Sequence, residues 1–384
     1  MKYTMKKTVY LDYSATTPQT AEVTRAISDW NSRVFGNPSS QHSFGRTAKA
    51  GIEETRDRLA AILRCRPKEI AFTGGGTESN NWALIGAARA LKNKGNHIVV
   101  SAIEHPSVLK TAEYLTGEGY DVCYAKPNRD GVVNADEVAR LLKKNTVLVS
   151  VMHVNNETGV LNPVKEIARL CDENDVCFHC DAVQSFGKLD FTVADLGARL
   201  LTLSAHKIYG PKGCGALVIR DNTPLEPLLH GGGQELDRRP GTENLNGIIG
   251  LNAALSILNP QKDYKSAKTL RDYFETQICE TFPFCNINGG SAPRSPFISN
   301  ISFSGVDNES LLINLDLAGI AASVGSACGS GSIRPSHVLQ AMGLADELVN
   351  SAIRFSFGRE TNRDDIDFTL SCLKEAVPRL RKAN

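Results

Sequence analysis

The stretch Leu203-Ser204-Ala205-His206-Lys207-Ile208-Tyr209-Gly210-Pro211-Lys212-Gly213 decides the fold. Residues 199–203 before it are short, apolar and bounded, the pattern of a buried strand, while Gly210, Pro211, Gly213 and Gly215 after it force an open turn. Lys207 therefore falls on a loop at the carboxyl end of a strand, the place where open α/β sheets bind ligands. Alone it would read as a solvated surface lysine. Flanked by Ser204 and His206, it is placed to form a Schiff base with a phosphorylated aldehyde.

Outward from this point, from about residue 48 to 260, helical patterns alternate with short apolar runs at 97–101, 146–152, 176–180, 200–203 and 215–219. Such alternation predicts βαβ units and a mostly parallel sheet, with the residues after each run gathered on one rim. A helix at 247–258 followed by Asn259-Pro260 marks a boundary. Beyond it lie a helix at about 264–282 and shorter strands such as 297–303. The expected organisation is a large domain over 16–259, and a smaller α+β domain made of 1–15 and 260–384.

The 384 residues carry 22% charged and 41% hydrophobic side chains and a formal net charge of +1, so nothing points to nucleic acid or an anionic membrane as a partner. The basic start is interrupted by Asp12 before an apolar run can form, and no later run has membrane-spanning length, so a cytoplasmic location is expected. Ten irregularly spaced cysteines suit reduced thiols. Only Cys171, Cys177 and Cys180 cluster, with His179, and an extended 177–180 segment turns Cys177 and Cys180 to opposite faces, which argues against a zinc site.

The rim residues carry chemistry. Gly74-Gly75-Gly76-Thr77-Glu78-Ser79-Asn80 follows a strand-like segment and opens a helix, whose free N–H groups and Thr77 hydroxyl make an anion site; a bare turn is the competing reading. Asp181 ends one strand about one helix-and-strand unit before Lys207, so the two belong at neighbouring strand ends. A carboxylate there can pair with a pyridinium nitrogen, and Gln184 can reach a ring oxygen; a capping box explains Asp181 equally well. His105 in Glu104-His105-Pro106-Ser107 can lie on a planar ring and move protons. Asn155 and Asn156 can orient a polar ligand or belong to a capped helix start. Cys328 lies among small residues in 322–332, a segment that reads as an exposed loop carrying either a nucleophile or an incidental thiol. Arg354 alternates with Phe355, and its guanidinium suits a substrate carboxylate or a structural salt bridge.

Together with Leu11-Asp12-Tyr13-Ser14-Ala15-Thr16-Thr17-Pro18, Gly36-Asn37-Pro38-Ser39-Ser40, Gly231-Gly232-Gly233-Gln234-Glu235 and Gly241-Thr242-Glu243-Asn244, these segments resemble, in order and through nearly the whole chain, the class I cysteine desulfurases. These are NifS/IscS-like, fold type I pyridoxal-phosphate enzymes related to class V aminotransferases. The resemblance implies that Lys207 carries pyridoxal 5'-phosphate, Asp181 pairs with the ring nitrogen, Gln184 contacts the ring oxygen and His105 stacks on the ring. It implies that Gly76, Thr77, Ser204 and His206 hold the phosphate, with Thr242 reaching in from a second subunit of a homodimer. Asn156 and Arg354 would bind the substrate, L-cysteine. Cys328 would become a persulfide and pass its sulfur to an acceptor protein, an iron–sulfur scaffold or a tRNA-thiolation enzyme, leaving L-alanine. Pro240 and Gly329 depart from the family pattern, and the chain lacks the longer tail that scaffold-docking members carry. The alternatives are a selenocysteine lyase, a same-fold aminotransferase that needs no Cys328, and an inactive sulfur-relay or scaffold-binding subunit.

Overall fold

The computed structural model describes residues 7–325 and 335–381. Among the described residues, twelve strands run in chain order as β1 (Val9–Tyr10), β2 (Ile70–Thr73), β3 (His97–Ser101), β4 (Asp121–Ala125), β5 (Thr146–Ser150), β6 (Cys177–Asp181), β7 (Leu200–Ser204), β8 (Gly215–Ile219), β9 (Cys285–Ile287), β10 (Ile298–Phe303), β11 (Ile320–Ala321) and β12 (Ala352–Ser356). Seven form one sheet in the order β2-β8-β7-β6-β5-β3-β4. Its five strands from β7 to β4 are parallel, while β8 runs antiparallel to both β7 and β2.

The inner strands are apolar at nearly every position because helices cover both faces, and the two-residue period sorts their side chains. Val99, Val149, Phe178, Leu201 and Val218 enter one buried core with Ile167 and Ile248. Ile98, Leu148, Cys177, Leu200 and Leu217 enter the other, beneath Trp82, Leu84 and Leu115. Cys177 and Cys180 thus lie on opposite faces, in different cores, as an extended segment requires. His179, fully buried between them, is bonded through Nδ1 to Ser150 Oγ (2.8 Å) and through Nε2 to Thr202 Oγ1 (3.0 Å).

A third core joins Val9 and Leu11 to residues between 270 and 377, among them Phe274, Phe303, Leu315, Phe355 and Ile366. There β10 sits between β9 and β12 in an antiparallel sheet, and β1 pairs with β11. Val338, Leu339, Met342 and Val349, though late in the chain, pack into the core of the large sheet.

Buried electrostatics fix the strand that leads into the glycine turn. Arg56 spans to Glu235 with both terminal nitrogens at 2.8 Å, and Glu235 also accepts the Phe72 N–H at 2.8 Å. Glu235, Leu236 and Asp237 all have positive φ (49°, 60° and 63°), a left-handed turn costly for side-chain-bearing residues, and the Arg56 pair holds it against β2. The side chains are only 6% and 2% exposed, so removing one partner strands a buried charge. Glu235→Ala is expected to cost about 3–5 kcal/mol in equilibrium urea unfolding. A loss below about 1 kcal/mol would show that the pair is dispensable.

Candidate active site

The carboxyl ends of the parallel strands deliver side chains to one cavity of about 370 Å3. Asp181 comes from the end of β6 and Ser204 from the end of β7, with His206 and Lys207 in the single 3-10 turn that follows. His105 follows β3 as the N-cap of the helix Pro106–Gly117, and Asn156 stands in the turn after β5. Gly76 and Thr77 open the helix Gly76–Ala90 behind Gly75, whose φ of 142° is open only to glycine. Arg354 enters from β12. Each of these lines the cavity, as do Gln184, Asn80, Ser14 and Ser107.

Lys207 Nζ donates to the backbone carbonyls of Ser14 (2.5 Å) and Ala15 (2.7 Å). Burial, reinforced by the nearby Arg354 charge, brings its pKa down from 10.5 to about 8, while Asp12 and Asp181 pull the other way. Asp181 Oδ2 accepts from Asn80 Nδ2 (2.8 Å) and Oδ1 from the Val183 N–H (2.9 Å); no helix follows and Gln184 turns to Ser14 and Lys188, so the capping box does not form and the carboxylate is held on the cavity wall by a turn. His105 Nδ1 accepts the Ser107 N–H at 3.1 Å, which puts the proton of the neutral ring on Nε2. Burial is the largest influence on His105 and lowers its pKa, with the Lys207 charge acting in the same direction. His206 is pushed down to about 4, first by burial and then by Lys207 and Lys212.

Arg354 makes a structural salt bridge and also lines the cavity. Its Nη2 pairs with Asp12 at 2.8 Å and its Nη1 donates to the Asn156 carbonyl at 3.0 Å, while the group still faces the cavity. The 153–159 segment is a turn rather than a helix start: Asn155 Oδ1 gathers the N–H groups of Glu157 and Thr158, each at 2.9 Å, leaving Asn156 free to face inward.

A second, more open cavity shares Ala15, Gly76, Thr77, Ser204 and His206 with the first and adds Lys212, so the start of the Gly76–Ala90 helix opens toward the surface. Thr242 is exposed and lines neither cavity. Cys328 lies outside the described residues. Of the described residues on either side of it, Ser336 Oγ donates to Glu157 Oε2 at 2.5 Å, and a Cβ on Gly325 would lie 3.0 Å from the same oxygen. The chain next to that segment is therefore tied to the residue beside Asn156.

Four buried polar atoms on cavity residues find no partner among the described residues: Ser14 Oγ, Asn80 Oδ1, Ser204 Oγ and Arg354 Nε. Buried polar groups are rarely left unbonded, so these await a polar ligand. With a helix N-terminus at one end and a partly buried amine of lowered pKa at the other, the residues fit a phosphorylated aldehyde.

The aminotransferase class-V family model matches residues 9–368. Cysteine desulfurase IscS of Dictyoglomus turgidum is 45% identical, covering 98% of this chain and 96% of that protein. Cysteine desulfurase IscS of Methanosarcina thermophila is 43% identical, covering 98% and 94%. The chain belongs to the cysteine desulfurase family. Among solved structures, a NifS-like protein superimposes with a TM-score of 0.91 at 32% identity, over 97% of this chain and 100% of that one. A protein named SspA, solved in complex with cysteine, gives 0.82 at 38% identity, over 91% and 99%. As a cysteine desulfurase family member the chain is a pyridoxal-phosphate enzyme, with the fold of the NifS-like proteins.

Asn80 and Ser14 had no assigned role in the sequence reading. A signal for Asn80 existed: it follows Thr77 by three residues in a helix, so it shares the face that Gly76 and Thr77 turn to the cavity.

Reductive methylation of the ligand-free protein tests the amine. Labelling of the Lys207 peptide, followed by mass spectrometry, is expected to rise through pH of about 8, roughly two units below exposed lysines. A Lys207 that labels in step with them would contradict its burial.

Proposed function

We propose that this chain releases sulfur from L-cysteine using the cavity at the strand ends, with Lys207 as the amine that carries pyridoxal phosphate. The observation that carries this reading is the gathering of an amine of lowered pKa, a strand-end carboxylate and unpartnered buried polar atoms around one cavity that a helix N-terminus opens onto. Gly76, Thr77, Ser204 and His206 would hold the phosphate, Asp181 the ring nitrogen and Gln184 the ring oxygen, with the His105 ring against the ring face. Thr242, exposed on a single chain, would complete the phosphate site of the second subunit in a homodimer.

When bound, the cofactor supplies an electron sink that weakens the bond between sulfur and the substrate's β carbon. Around it, Asp181 keeps the ring nitrogen protonated, with Asn80 and the Val183 N–H holding its carboxylate in place. Arg354 and Asn156 orient the substrate carboxylate; the Arg354 Nε lacks a partner until such a group arrives. Lys207, about half deprotonated at pH 8, and His105, neutral with its proton on Nε2, would move protons at the substrate carbons. Cys328 takes the sulfur as a persulfide and hands it to an acceptor protein, leaving alanine. Residues 16–259 would form the cofactor-binding domain, and 1–15 with 260–384 the domain bearing Cys328, in keeping with the core that joins Val9 and Leu11 to the C-terminal elements. A cytoplasmic setting, where an acceptor of the iron–sulfur scaffold or tRNA-thiolation type is found, fits the reduced cysteines among the described residues.

Added L-cysteine is expected to yield alanine and to leave one extra sulfur on the peptide containing Cys328, seen by mass spectrometry without reductant. Alanine formation at full rate by Cys328→Ser would instead favour a lyase reaction that needs no Cys328, and a keto acid in place of alanine would favour an aminotransferase. Arg354→Lys, which loses the forked geometry, is expected to raise KM for cysteine about 10–100-fold with cofactor absorbance retained. An unchanged KM would remove Arg354 from substrate binding.

A further inference from the structure

The cavity holds a second amine next to it that the reading above does not use. Lys188 is 7% exposed. Its Nζ donates to Gln184 Oε1 at 2.8 Å and sits 5.9 Å from the centroid of the buried Phe297 ring. Gln184 Nε2 in turn donates to the Ser14 carbonyl at 2.9 Å. A glutamine amide can face either way, and its neighbours decide which end is oxygen. Here an ammonium or amine stands on one side and a carbonyl on the other. Only one orientation satisfies both, since the reverse would set N–H against Nζ and oxygen against oxygen.

We propose that Lys188 is a positioning residue that locks the Gln184 amide with its NH2 group on the cavity side, so that this wall is a hydrogen-bond donor matched to an oxyanion on the cofactor ring. The inference rests on the reading that pyridoxal phosphate occupies this cavity and that Gln184 meets its ring oxygen. One Gln184 N–H is taken by Ser14, and the other remains for the ligand. A locked donor stabilises the ionised ring oxygen and disfavours its protonated form, which lowers the pH at which the Lys207-bound chromophore loses its proton.

The surroundings of Lys188 support a device held close to neutrality. Burial is the main cause that brings its pKa to about 7, and the charges of Lys207 and Arg354 act in the same direction. Lys188 and Lys207 also line one small internal void, together with Tyr13, Tyr209 and Asp263. An ammonium can only donate and so fixes the amide; a neutral amine still donates to Gln184 Oε1, with the Ser14 carbonyl on the other side then opposing the reversed orientation. The sequence offers a trace of this in Gln184 and Lys188 standing four residues apart, although Lys188 lies in a turn whose path the sequence alone does not fix.

The test is the pH midpoint of the visible band of the holoenzyme, read by absorbance without turnover. Lys188→Met frees the amide to rotate and is expected to raise the midpoint by about one unit. Lys188→Gln keeps an N–H donor without a charge and is expected to stay near the wild-type midpoint. In a Gln184→Ala background, Lys188→Met is expected to add nothing further, because its effect travels through that amide. An unchanged midpoint in Lys188→Met, an equal shift in Lys188→Gln, or full additivity on Gln184→Ala would each overturn the proposal. A wild-type protein with no visible band would instead remove the cofactor reading on which it rests.

Discussion

The cationic side chains of Lys188, Lys207 and Arg354 are packed together: after burial itself, the Arg354 charge lowers the proton affinity of both lysines, and the Lys207 charge lowers that of Lys188. Two carboxylates oppose them there, Asp12 on Arg354 and Asp181 on the opposite wall. Burial is the first cause for both amines, and a bound anion would offset the like charge that adds to it. Both amines respond by titrating near neutrality, and the rest of the site is arranged to receive the anion. The Gly76–Ala90 helix directs its N-terminus at the shared rim of the two cavities, where Ser204 and His206 already stand.

The scaffold makes this crowding possible at modest cost. Parallel strands buried on both faces are rigid and end together, so Asp181 and Ser204 are fixed by register, Asp181 pairing with Thr202 on the next strand. The antiparallel return through β8 and β2 then brings the glycine turn alongside, where Glu235 and Arg56 clamp it from outside. The Arg354 wall comes from a separate sheet, held by β10 on one side and by the Ser323 bridge on the other. The chain at Ser323 is thereby linked to Arg354 and so to the cavity wall. Glu157 adds a second tie through Ser336.

Much of this was legible in the residues. The apolar runs at 97–101 and 215–219 are strands over those same residues, and the run at 200–203 extends by one to Ser204, because double-sided burial writes itself as continuous hydrophobicity. Strand-end placement of Lys207, Asp181 and His105 followed from what comes after each run. The helix before the boundary begins at Leu245, two residues early, because Asn244 caps it through its side chain, a signal hidden among glycines and polar residues. Helical spacing hinted at Asn80 and the four-residue spacing from Gln184 at Lys188, but the contacts themselves lie far away in sequence: Asn80 with Asp181, Ser14 with Lys207, and Lys188 with Phe297. A salt bridge was one of the two readings of Arg354, but its partner Asp12 was hidden, because it stands near the other end of the chain.

Two amines of lowered pKa therefore share one site, and the account gives them different tasks. Borohydride reduction of the holoenzyme followed by peptide mapping decides between them, because it fixes the cofactor to whichever nitrogen holds it. The account predicts a single pyridoxyl group on the Lys207 peptide and an unmodified Lys188. A pyridoxyl group on Lys188, or on any lysine away from the strand-end cavity, would contradict it.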